Sequence, residues 1–125
     1  MDTKTLSDIA VREVQACWLR FCDIYPQLRR DNVPAISLNN RFKTTAGMAY
    51  YDSHSIKLST ELFREHTDHF IADTIPHEVA HLVDYIVFKE WGHGPSWKQV
   101  MRAYGLEPAR CHNMTNSAHE ARKYK

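Results

Sequence analysis

The stretch Ile75-Pro76-His77-Glu78-Val79-Ala80-His81-Leu82-Val83-Asp84-Tyr85-Ile86-Val87 is the one around which the rest of the chain can be arranged. Its apolar residues Ile75, Val79, Leu82, Val83, Ile86 and Val87 recur at steps of three and four, the period of a helix buried over much of its surface. Pro76 suits a first helical turn, where the N–H it lacks would have no partner anyway. Positions four apart on a helix differ by only about 40° around the axis and about 6 Å along it, so His77 and His81 can reach one cation. An unsatisfied polar side chain on so apolar a helix costs roughly 1–3 kcal/mol, and metal ligation accounts for two imidazoles there. Neutral histidine nitrogen suits Zn2+, and a catalytic zinc site has three protein ligands with a fourth position for water. Glu78 projects beside the ligand face, where it can act on that water rather than on the metal. The competing reading is two merely hydrogen-bonded histidines, in a chain that has eight.

A third ligand has to come from beyond His81. Glu90 lies nine residues on, about 180° around the axis if the helix continues, and so points away. His93 is better placed, because Gly92 and Gly94 let the backbone turn back and a helix beginning near Pro95 can fix the loop. His112 and His119 are less constrained alternatives. Asp84 and Asp73 are available to hold a ligand's second ring nitrogen.

Upstream, Leu6, Ile9, Ala10, Val14, Cys17, Trp18, Phe21 and Tyr25 mark a helix over Thr5 to Tyr25 that Pro26 closes. Ile36, Leu38 and Phe42 alternate within a half-buried strand. Gly47-Met-Ala-Tyr-Tyr and His54-Ser-Ile-Lys-Leu-Ser read as a hairpin turning at Asp52-Ser53. These segments predict an α+β fold with a small, mainly antiparallel sheet of about three strands. Ser59 or Thr60 can cap a short helix over Glu61 to Glu65. A longer helical segment runs from about Asp68 to Glu90, kinked or started afresh at Pro76, and the last helix runs from Pro95 to Gly105.

The 125 residues suit a single domain, 1–125, with 113–125 as a basic tail. Residues 1–97 carry 10 Lys and Arg against 13 Asp and Glu, whereas 98–125 carry 6 against 2. Cys17, Cys22 and Cys111 lack C-x-x-C spacing and read as reduced packing residues. The N-terminus lacks a secretory layout and no apolar run approaches membrane-spanning length, so a cytoplasmic protein with no membrane partner is expected.

With His77, Glu78, His81 and His93 in place, the chain resembles the SprT-like metallopeptidases, the family of bacterial SprT proteins and the protease domain of Spartan. The resemblance extends to Thr45-Ala-Gly-Met-Ala-Tyr-Tyr with Ile56-Lys-Leu-Ser, then Ile75-Pro-His-Glu-Val-Ala-His-Leu, His93-Gly-Pro-Ser-Trp and Gly105-Leu-Glu-Pro-Ala-Arg-Cys-His. In that order these segments cover about residues 36–112. The resemblance implies a zincin-like fold, zinc on His77, His81 and His93, Glu78 as the catalytic carboxylate and a protein or peptide substrate. Spartan-type members degrade proteins crosslinked to DNA. Many bacterial members continue into a cysteine-rich zinc ribbon, and no cysteine follows Cys111 here. DNA contact would then fall to the basic end, where Arg110, Arg122, Lys123 and Lys125 could meet phosphates. An edge strand near Gly47 could pair with an extended substrate. Tyr50, Tyr51, Tyr104, Arg110 and His112 are capable oxyanion donors. The alternatives are a non-catalytic zinc or nucleic-acid-binding module, with His112 or Cys111 closing the site, and a zinc hydrolase for a non-peptide bond.

Overall fold

The computed structural model describes residues 1–108. The first helix, α1 (Thr3–Ile24), starts where the Asp2 carboxylate accepts from the Thr5 backbone N–H, and it ends as Tyr25 turns extended ahead of Pro26. It buries Leu6, Ala10, Val14, Cys17, Trp18, Phe21 and Cys22, the stripe that its apolar spacing predicts. Cys17 and Cys22 are free and buried, and burial pushes the Cys17 thiol up to about 12, which makes it an inert packing group. Cys111 lies outside the described residues.

Three short strands follow: β1 (Ala35–Asn39), β2 (Gly47–Tyr50) and β3 (Ser55–Ser59). The hairpin forms as expected, with β2 antiparallel to β3 in the register Gly47↔Leu58 to Tyr50↔Ser55. The expectation of a mainly antiparallel sheet needs correction. The strand order is β1-β3-β2, and β1 runs parallel to β3 from Ala35↔Ser55 to Asn39↔Ser59. The chain leaves β1, comes back two strand spacings away as β2, and the hairpin's return strand fills the gap. That return restores the direction of β1, so the sheet is mixed. Period-two alternation reports which face of a strand is buried and carries no information on its neighbour or direction.

Ser59 ends β3 and caps α2 (Thr60–Glu65) by accepting from the Leu62 N–H. A single turn, α3 (Thr67–His69), runs into a π-helical turn over Phe70–Thr74 and then into α4 (Ile75–Phe88), with Pro76 in its first turn. The long helical segment expected from Asp68 is thus interrupted and restarted, and the wider π turn absorbs the proline that cannot donate. α4 is the centre of the molecule: Ile75 to Asp84 are buried without a break, and the helix packs on α1, on β2 and on α5 (Pro95–Tyr104). Lys89 (φ 60°) and Gly105 (φ 108°) end α4 and α5 in the left-handed conformation. No helix among the described residues is long and apolar enough to cross a membrane.

Candidate metal centre

Two successive helices and the loop between them bring three histidines together. His77 and His81 project from consecutive turns of α4, fully or almost fully buried. Beyond Lys89 the chain turns through Gly92 (φ 114°), a conformation open to glycine, and returns His93 over the helix before Gly94 and Pro95 begin α5. One potential ligand atom from each of His77, His81 and His93 lies within 4.8 Å of the others. The Nε2 atoms of His77 and His93 are 3.1 Å apart. Among the described residues these three form the group of side chains able to hold a metal ion.

Burial and the nearby His93 push the His81 imidazole down to about 3, so the ring is neutral, the form in which histidine binds a metal. Its Nδ1 is buried with no hydrogen-bond partner among the described residues. Glu78 is 1% exposed, and its Oε2 sits 4.0 Å from the His77 Nε2, so the carboxylate borders the centre.

The wall of the site was less visible in the sequence. Trp97, fully buried on α5, lies 4.8, 5.5 and 4.7 Å between ring centroids from His77, His81 and His93 respectively. Its indole N–H donates to the His77 carbonyl at 3.4 Å, tying α5 to the ligand helix. Trp91 lies 5.2 Å from His81 and adjoins Tyr51 and Tyr85 in a half-exposed aromatic cluster. The signal for Trp97 was its place four residues after His93, one turn into the new helix, but nothing in that spacing says which way the helix faces. Gly47 of β2 packs on Glu78: a Cβ there would stand 3.0 Å from Leu58 Cδ2 and 3.3 Å from both Glu78 Cγ and the Lys57 carbonyl. The glycine therefore sets the approach of the sheet to α4.

The remaining candidates divide. Tyr50 is close enough to Glu78 that, after burial, the Glu78 charge helps raise its phenol pKa. Tyr51 is exposed and packs on Tyr85. Tyr104 is not brought to the metal centre: it packs on Phe21 and lies under the Arg20 guanidinium at 4.4 Å, both on α1. Glu90 stays out of the cluster, though for a reason other than helical phase, since α4 ends at Phe88. Asp73 faces His69 at 3.5 Å. Asp84 is buried, which raises its carboxyl pKa, while the neighbouring Ser96 works in the opposite direction. Arg110, Cys111, His112, His119 and the basic segment 113–125 lie outside the described residues.

The structure is an α+β unit whose central helix carries two of three converging histidines, close enough to bind a metal ion, with a buried glutamate beside them. Residues 14–117 match the SprT-like family model, and the chain belongs to the SprT-like family. Protein SprT of Pseudomonas paraeruginosa is 34% identical over 114 residues, which are 89% of this chain and 67% of the relative. Protein SprT of Pseudomonas aeruginosa is 39% identical over 82 residues, 63% of this chain and 49% of the relative. Protein SprT of Pseudomonas fluorescens strain SBW25 is 35% identical over 94 residues, 73% and 57% respectively. The matched part thus spans from about half to two thirds of these relatives' length. No solved structure matches the chain.

Proposed function

We propose that the chain is a zinc-dependent metallopeptidase of the zincin type, hydrolysing peptide bonds in a protein substrate. The observation that carries this reading is the convergence of His77, His81 and His93 within 4.8 Å, with the buried carboxylate of Glu78 at its border. The donor set fits zinc. Two nitrogens each about 2.0–2.1 Å from one tetrahedral zinc stand roughly 3.3–3.4 Å apart, and the His77 and His93 Nε2 atoms are at 3.1 Å. Three nitrogen donors with a glutamate one residue after the first is the layout of a hydrolytic site rather than of a four-ligand structural one. A buried, neutral His81 needs no proton removed before it ligates.

When bound, zinc polarises a scissile carbonyl and makes a water more acidic. The chain's own residues do the rest. Glu78, buried at the border of the centre, takes the proton from the attacking water and passes it to the departing amide nitrogen. Of the hydroxyl donors considered, Tyr50 is the one whose surroundings include Glu78, and it is assigned to the developing oxyanion. β2 is an edge strand of the sheet and lies against α4, so an extended substrate backbone can pair with it across the site. Association with DNA-bound proteins, by way of the basic segment beyond residue 108, is a further part of this proposal.

The test is Glu78→Gln, which keeps the volume and removes the base. Zinc content stays equal to wild type while cleavage of an unfolded protein substrate falls by about 10²–10⁴-fold. Cleavage at the wild-type rate by that variant would remove Glu78 as the base.

A further inference from the structure

Among the described residues the large apolar side chains left exposed are Met1, Val11, Tyr51, Tyr85 and Trp91, and the three aromatic ones meet in one patch. Each comes from a different part of the chain. Tyr85 lies four residues after His81, as His81 does after His77, so α4 carries all three on one slowly turning stripe, with Tyr85 about 6 Å beyond His81 along the axis. Tyr51 directly follows β2, and Trp91 belongs to the loop that returns His93. Ring contacts run without a break from the metal centre across the patch: His81 to Trp91 at 5.2 Å, Trp91 to Tyr51 at 5.2 Å and Tyr51 to Tyr85 at 4.5 Å. The patch therefore begins at the three histidines and ends where the edge strand ends.

Area and charge select what covers it. An aromatic side chain has roughly 150–250 Å² to bury, so three that are 50%, 37% and 40% exposed leave on the order of 200–300 Å² in the open. A stable interface between proteins needs about 800 Å² from each partner, far more than this patch offers, whereas one aromatic side chain matches it. A nucleobase could stack on the same rings but would bring its phosphates. Next in the chain to Tyr51 and Trp91 stand the exposed carboxylates of Asp52 and Glu90, and the nearby Lys89 ammonium donates to the Ile86 carbonyl at 2.8 Å. That surrounding repels a phosphate backbone and is indifferent to a neutral ring. Position supplies the last argument. Gly47, at the start of β2, meets Glu78, and Tyr51 lies four residues further, roughly 13 Å along an extended chain. A substrate strand paired with β2 would carry its side chains from the metal centre to the patch.

We propose that Tyr51, Tyr85 and Trp91 form a specificity subsite that takes an aromatic side chain of the extended polypeptide substrate, within a few residues of the bond that is cut. The incoming ring packs edge-to-face or offset on the three already there and removes their exposed faces from water. The inference rests on the peptidase reading for the identity of the ligand, and two measurements separate the fate of each.

The first is binding to the zinc-loaded protein, followed by the Trp91 indole N–H resonance, assigned through Trp91→Phe. Nα-acetyl-phenylalanine methylamide shifts that resonance, the alanine and lysine analogues do not, and Tyr51→Ala abolishes the shift. Equal shifts from all three compounds, or none from any, overturn the subsite whether or not a peptide is cut. A response to single-stranded oligothymidylate where the phenylalanine compound gives none overturns it too, and assigns the patch to nucleic acid. Dimerisation in sedimentation that Trp91→Ala abolishes likewise overturns it, in favour of a second copy of the chain. The second measurement is a peptide series differing only in Phe, Ala or Lys at each position flanking the scissile bond. In one register Phe is cut about 10- to 100-fold better than Ala, the range expected from burying a phenyl ring. That ratio falls towards one in Tyr51→Ala and in Trp91→Ala, a change that mere loss of folded protein does not produce. Cleavage without preference at every position, or a preference that both variants retain in full, overturns the subsite. Phenylalanine-specific binding with no peptide cleaved would leave the aromatic site standing and overturn the peptidase reading.

Discussion

At the scale of single residues, the contact between Gly47 and Glu78 couples the sheet to the proposed base. A methyl group at Gly47 would meet Leu58 Cδ2 at 3.0 Å, Glu78 Cγ at 3.3 Å and the Lys57 carbonyl at 3.3 Å. The backbone carbonyl cannot move cheaply, so the two side chains must. Gly47→Ala is expected to cost about 1–3 kcal/mol of stability in a urea titration, the usual cost of overpacking. It should also lower kcat by about tenfold or more, because Glu78 shifts by a few tenths of an ångström from its working position. Unaltered kcat in a correctly folded Gly47→Ala protein would show that the contact does not set the carboxylate. His77, Glu78 and His81 were legible in the sequence because helical geometry is local: four residues make one turn whatever surrounds them. His93 was legible through its two glycines. The embrace of all three imidazoles by Trp97 was not, since it depends on how α5 is rotated against α4.

At the scale of elements, Ser59 joins the sheet to the helices that lead to the three histidines. Fully buried at the end of β3, its hydroxyl donates to the Phe42 carbonyl at 2.7 Å and accepts from the Leu62 N–H at 3.1 Å. Ser59→Ala removes both bonds and leaves a buried donor and acceptor behind, so a loss of about 1.5–3 kcal/mol is expected, read from chemical denaturation. Unchanged stability would mean that water replaces the hydroxyl. The cap itself was visible as a serine ahead of a helical run, whereas its second bond, to a residue 17 positions earlier, was not. The same division holds for the strands. Alternation revealed β1, β2 and β3, but the insertion of β3 between the other two, which makes the β1 pairing parallel, is a choice among non-local partners. Likewise Pro76 signalled an interruption, and only the structure showed that it takes the form of a π turn.

At the scale of the whole molecule, the proposed zinc ligands come from α4 and from the loop leading into α5, and Trp97 ties the two together. A metal bound there links two helices of the core, so it should stabilise the fold by mass action. Zinc at about 100 times its dissociation constant adds roughly 2.7 kcal/mol. The melting temperature should rise on zinc addition and fall on chelation, and His93→Ala should abolish most of that response while leaving the metal-free protein folded. A zinc response in His93→Ala equal to that of wild type would remove His93 from the ligand set. What the sequence by itself determined was whatever rests on spacing within one turn or one strand: the histidine pair and its glutamate, the glycine-flanked third histidine, the helical and strand segments, and through their order the SprT-like family. Only the tertiary structure decided the mixed sheet, the packing of Tyr104 on α1 and the glycine against Glu78. Each of these depends on side chains from separate elements meeting at distances of a few ångströms, and such meetings follow from how the elements pack, which no local periodicity encodes.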